Sequence, residues 1–167
     1  MALNPTRAGS EEAAKEVALR ILARGPRTER EIQGRLRERG YNDDAVARAI
    51  ERLRRVSLLD DRAFVRSFLR TELFKAPQGR RLLVLKLKRR GVPEALIAEL
   101  DALLDEDSDL SGRSLASEEG RAALGFAQLR RRYSGLEPEA YRRRMQQALQ
   151  RRGFDWDTIR DLLREES

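Results

Sequence analysis

The sequence contains no cysteine and no histidine. The first absence excludes disulfides, thiol nucleophiles and cysteine-held metals. The second excludes imidazole as a general base, serine-type triads and His-ligated zinc. No run of about 18 apolar residues occurs, so no membrane span is expected. The N-terminus shows no signal-peptide pattern. The expectation is a cytoplasmic, non-enzymatic protein that carries no cofactor and no metal.

What the chain has is charge. Charged residues make up 38% of it, against about 25% in an average domain. The apolar share of 40% supports a modest core. Such a balance suits an elongated, surface-rich molecule. The net charge of +7 and the pI near 10.4 imply attraction to nucleic acid or to an acidic protein surface. An arginine-rich proteome would produce the same bias without any partner.

Residues 1–10 read as a loose tail with Pro5 and Gly9. A helix from about Glu11 to Arg24 carries the stripe Ala14, Val17, Ala18, Ile21, Leu22. Thr28 and Glu31 form a capping box for a second helix, with Ile32 and Leu36 inside. Asn42 caps a third, which buries Val46, Ile50 and Leu53. Asp60 and Asp61 precede a helix to about Phe74 and read as caps rather than catalytic carboxylates. Another helix runs from about Gly79 to Arg90. Its segment Leu85–Lys88 also alternates like a strand, but no hairpin signal flanks it. Leu83, Val84 and Leu87 share one face there, with Leu82 and Leu85 nearly opposite. A helix follows Pro93 with Leu96, Ile97, Leu100, Leu103 and Leu104 inside. Residues 105–114 form an acidic, Ser-containing run. Asp105, Asp107 and Asp109 begin like a calcium loop, but Leu110 and Ala116 stand where that loop needs Gly and Glu, so a solvated linker is expected. Helices then start near Ser117, Pro138 and Asp155.

The pair Arg-Gly recurs at Arg39-Gly40, Arg90-Gly91 and Arg152-Gly153, with spacings 91−40=51 and 153−91=62. Leu36, Leu87 and Leu149 sit four residues before each glycine, Tyr41, Val92 and Phe154 one after, and Val46, Ile97 and Ile159 six after. A glycine cap followed by an apolar residue that packs back on the helix just ended explains these columns. The expected fold is all-α: a tandem array of three three-helix repeats. The boundaries read as tail 1–10, repeats 11–57 and 58–104, acidic linker 105–116 and repeat 117–167.

Leu59-Asp60-Asp61, Phe64, Arg70, Gly79, Leu83, Leu87 and Gly91 together resemble the signature region of the RecX family, and Gly40 and Arg152-Gly153-Phe154 resemble its outer repeats. Where that family often has Gly shortly before the Leu-Asp-Asp, this chain has Val56-Ser57. The resemblance implies a monomeric, non-catalytic regulator of the RecA recombinase. It would bind the RecA–DNA filament along its helical groove and touch single- or double-stranded DNA without sequence preference.

Two basic clusters are the candidate binding residues: Arg80, Arg81, Lys86, Lys88, Arg89 and Arg90, then Arg130, Arg131, Arg132, Arg142, Arg143, Arg144, Arg151 and Arg152. They suit phosphates or an acidic partner. Complementing the helix dipole accounts for Arg89, Arg90, Arg151 and Arg152, but not for Arg80, Arg81 or Arg142–Arg144. Two other classes fit the helical pattern. A helix-turn-helix factor would contact bases with the first turn of the second helix. Here those turns carry Asp43 and Asp44, Glu94, and Asp155 and Asp157, which repel DNA. A helical-repeat adaptor with no nucleic-acid connection is the other.

Overall fold

The computed structural model describes residues 8–166. Among them the regular elements are helices, and the alternating segment Leu85–Lys88 lies within one. Three three-helix repeats follow one another along the chain, and their contacts cluster into two units. One holds residues up to Val65 together with Lys88–Pro93; the other holds Arg66–Leu87 together with Glu94 onward.

In the first unit, α1 (Glu11–Leu22), α2 (Glu29–Glu38) and α3 (Asp43–Arg55) pack around Ala14, Ala18, Ile32, Leu36, Val46, Ile50 and Leu53. Each start is fixed by a side-chain cap. Ser10 accepts from Ala13 N–H, Asn42 from Ala45 N–H, and Thr28 and Glu31 close the capping box. Residues 1–7 of the expected tail lie outside the described residues. Ala8 already belongs to the fold, since its carbonyl accepts from Asn42 N–H at 2.9 Å.

The chain continues through α4 (Asp61–Lys75) and α5 (Arg80–Arg89). Asp60 caps α4 by accepting from Arg62 and Ala63 N–H. Asp61 does something else: its carboxylate accepts from Glu29 N–H, the first donor of α2, at 2.9 Å. One helix was expected after Pro93. Two short ones are present, α6 (Glu94–Ala98) and α7 (Leu100–Asp105). Glu99 between them has φ −85° and ψ 6°, and its N–H bonds back only three residues, to Leu96. That tightened turn ends α6.

The solvated linker expected after residue 104 is instead packed. It forms α8 (Ser108–Ser111), with Leu110 and Leu115 buried. Asp107 is 6% exposed. It accepts from Asp109 and Leu110 N–H and is ion-paired to Arg70. Two leucines in an acidic run are enough to fold it inward, because its carboxylates find donors. The last repeat comprises α9 (Glu118–Tyr133), α10 (Pro138–Arg151) and α11 (Trp156–Glu165) around Phe126, Leu129, Met145, Leu149 and Ile159.

The Arg-Gly columns are structural. Gly40, Gly91 and Gly153 have φ of 85°, 75° and 86°, the left-handed region that glycine enters at no steric cost. Tyr41 N–H returns to Leu36 O, and Phe154 N–H to Leu149 O. Leu36, Leu87 and Leu149 are fully buried, as are Val46, Ile97 and Ile159 within a few per cent. Burial of each such side chain stabilises by about 1.5–3 kcal/mol.

These same Arg-Gly corners receive the preceding repeat. In the first unit, Thr28, the cap of α2, donates its hydroxyl to Arg90 O at 2.6 Å. In the second, Gly79 at the head of α5 donates its N–H to Arg152 O at 2.8 Å. Gln78 O accepts from the buried Arg121 guanidinium, and Arg80 N–H donates to Glu118. The head of a middle helix is therefore anchored on the next Arg-Gly corner twice over.

Candidate functional site

The cations selected from sequence separate by what they touch. Five are engaged within the fold. Arg80 pairs with Asp101 at 3.2 Å. Lys86 reaches Glu72 and donates to Gln78 Oε1. Arg90 pairs with Glu31 and lies over the Phe64 ring, 4.8 Å from its centroid. Arg130 pairs with Glu166 at 3.1 Å. Arg152 is half-buried and donates to Gly125 O and Gln128 Oε1. The charges of Arg80, Lys86, Arg90 and Arg130 are partly neutralised by carboxylates, whereas Arg152 is held by neutral acceptors. Sequence spacing could not show this, since the partners of Arg80, Arg90 and Arg130 lie 21, 59 and 36 residues away.

Arg81, Lys88, Arg89, Arg131, Arg132, Arg142, Arg143, Arg144 and Arg151 are exposed. Arg131 and Arg132 end α9, and Arg142–Arg144 occupy the early turns of α10. Only residues 134–137 separate those helices, which pack on each other. Both arginine rows thus gather near one end of the pair.

The electrostatics mark which pairs hold structure. Burial pushes the Glu31 carboxyl up, but hydrogen bonds from Arg90 and Thr28 outweigh it and leave it below its ordinary value. Asp107 behaves likewise through Arg70 and its own helix N–H groups. The Lys86 hydrogen bond lowers Glu72. Asp61 is raised, burial being the main cause. Burial beside Glu166 takes Tyr141 up to about 12. Thr158 N–H is the main reason Asp155 is lowered, and the charge of Arg81 adds to it. Guanidinium groups do not release protons in this range, so the exposed surface offers charge and donors rather than acid–base chemistry.

Sequence reasoning missed two residues. Arg121 is 1% exposed and donates to Gln78 O, Leu115 O and Glu118; an arginine flanked by small residues on an amphipathic helix carried no sign of this. Trp156 is the sole tryptophan and is 49% exposed. Its signal was available: a lone large aromatic placed between Asp155 and Asp157, off the core register of α11.

Tandem three-helix repeats with arginine-rich exposed faces define a helical-repeat protein. Comparison with known proteins names the group. The descriptions "RecX, first three-helix domain", "RecX, second three-helix domain" and "RecX, third three-helix domain" match residues 14–53, 60–100 and 118–163. "Regulatory protein RecX" of Mycolicibacterium smegmatis is 36% identical over 157 residues, covering 92% of this chain and 79% of that protein. The protein of the same name from Chlorobaculum tepidum is 30% identical over 156 residues, covering 93% and 89%. The crystal structure of RecX from Lactobacillus salivarius superposes with a TM-score of 0.74 at 22% identity, covering 93% of this chain and 95% of that one. The chain belongs to the RecX family.

Proposed function

We propose that this chain is a non-catalytic modulator, mainly an inhibitor, of the RecA recombinase. It binds in the groove of the RecA–DNA filament and restrains ATPase, strand exchange and co-protease activity, and so takes part in regulating DNA repair in the cytoplasm. The observation that carries the reading is membership of a family whose relatives are named regulatory proteins across nine-tenths of the chain. The exposed arginine rows of α9 and α10 supply a surface for phosphates or acidic partner groups.

Base-specific reading in the helix-turn-helix manner is disfavoured by the first turns of α3, α6 and α11. They hold Asp43 and Asp44, Glu94, and Asp157 after the cap Asp155. These acids complement the helix dipole and oppose phosphate approach. Contact with DNA is accordingly without sequence preference. The test is the recombinase ATPase on single-stranded DNA. Added protein lowers the rate saturably at substoichiometric to stoichiometric ratios, whereas an adaptor unconnected with the filament leaves it unchanged.

A further inference from the structure

Trp156 opens α11 and lines two open hollows of the second unit. One, of about 540 Å³, has Leu82, Leu85 and the indole as apolar wall and Arg81, Arg151 and Gln150 as polar wall. The other, of about 350 Å³, is also lined by the indole, together with Arg142, Arg164, Gln146 and Leu163. Arg160 lines it too and pairs with Asp157 at 2.7 Å. No carboxylate is among the residues lining either hollow. The neighbouring Phe154 and Ile159 are 2% and 0% exposed and supply the core, so the indole is left over from folding.

We propose that this ridge is a single-stranded nucleic-acid site. An unpaired base stacks on the indole of Trp156. The phosphates on its two sides lie against Arg81 and Arg151 in one hollow and Arg142 and Arg164 in the other. Along a strand each base has a phosphate before and after it, and here one indole is shared by two hollows that each hold arginines. Each hollow also contains one glutamine amide, which offers both a donor and an acceptor to a base edge. An acidic chain such as polyglutamate would use the arginines and offer its backbone N–H groups to the amides, but has no planar ring to stack on the indole. A duplex keeps its bases paired and cannot present one to the indole. The proposal deepens the filament reading by assigning a strand subsite, and its test uses no recombinase, so each stands or fails separately.

Because the chain has one tryptophan, its fluorescence reports this residue alone. Oligo-dT is titrated into the full chain at low salt, beside an abasic oligonucleotide of equal length, a duplex, and polyglutamate. Saturable quenching by oligo-dT is expected, with little from the other three. Trp156→Ala, followed by the anisotropy of labelled oligo-dT, is expected to bind about tenfold more weakly, within the range known for base–aromatic stacking, while Trp156→Phe retains most of the affinity. Trp156 is exposed, so circular dichroism should be the same for all three proteins. Equal quenching by abasic strand or duplex, stronger quenching by polyglutamate, oligo-dT binding without quenching, or unchanged affinity in Trp156→Ala would each overturn the assignment. In the polyglutamate case the ridge is a peptide-docking surface instead.

Discussion

Ser57 takes a backbone conformation that suits glycine. Its φ is 54°, and it ends α3 with the same turn the glycines use, Leu58 N–H bonding to Leu53 O at 3.0 Å. A side chain in this region costs about 1–2 kcal/mol, while glycine adds unfolded-state entropy worth about 0.4–1 kcal/mol. Ser57→Gly is therefore expected to stabilise the first repeat by about 0.5–1 kcal/mol. Urea denaturation should show a higher midpoint at unchanged slope; a lower midpoint would mean the serine hydroxyl contributes more than the strain removes.

Single carboxylates set the acid limit. Glu31 titrates below its ordinary value of 4.5 in the folded protein. Its contribution is complete above that value and is lost as pH falls through the lower folded value. Glu72, Asp107 and Asp155 have the same sign, and Asp61 the opposite, so its raised value offsets part of the loss. Glu31→Gln should lower stability at pH 7 and flatten the decline below about pH 4.5. An acid limb as steep as in the parent would show that the Arg90 pair is not what titrates.

At the scale of elements, the joint between a middle helix and the next Arg-Gly corner governs assembly. A Cβ on Gly79 would sit 2.2 Å from Gly153 O and 2.5 Å from Phe154 N, both backbone atoms. The joint cannot yield there without losing the Gly79 to Arg152 bond. Gly34, inside α2, has nothing within 4 Å of the same position, so alanine there only improves helix propensity. Gly79→Ala should destabilise by about 1–3 kcal/mol through overpacking, and Gly34→Ala should stabilise by about 0.5–1 kcal/mol. Opposite shifts in chemical denaturation are expected; equal shifts would remove the close approach from the account.

Elements whose signals are local were readable before any coordinates. Thr28, Asn42, Ser117 and Asp155 cap the helices that start where they were expected to, Ser10 caps α1 from within the expected tail, and the Arg-Gly columns combine a cap with burial. What depends on a distant partner was not readable. Asp107 looks solvated until Arg70 arrives from α4. Asp61 looks like a cap for its own helix but serves α2. Arg80, Lys86, Arg90 and Arg130 look uncommitted until their carboxylate partners are placed. A charge pattern gives the number of cations on a helix, whereas only packing decides which remain exposed to a partner.

At the scale of the whole molecule, the proposed filament binding would be spread over several repeats. Removing one patch should weaken a filament-bound protein without abolishing binding, because linked contacts act together. The direct test of the regulatory reading is the midpoint of recombinase ATPase inhibition, measured across salt for the parent chain and for Arg142→Glu/Arg143→Glu/Arg144→Glu. These three side chains are exposed, so circular dichroism and melting should be unchanged. Inhibition by the parent is expected, with a midpoint raised about tenfold or more in the variant and a salt slope smaller by about 2 as phosphate contacts are lost. A variant that inhibits with the parent's midpoint and salt slope would contradict the role of α10, and a parent chain that leaves the ATPase unchanged would contradict the regulatory reading itself.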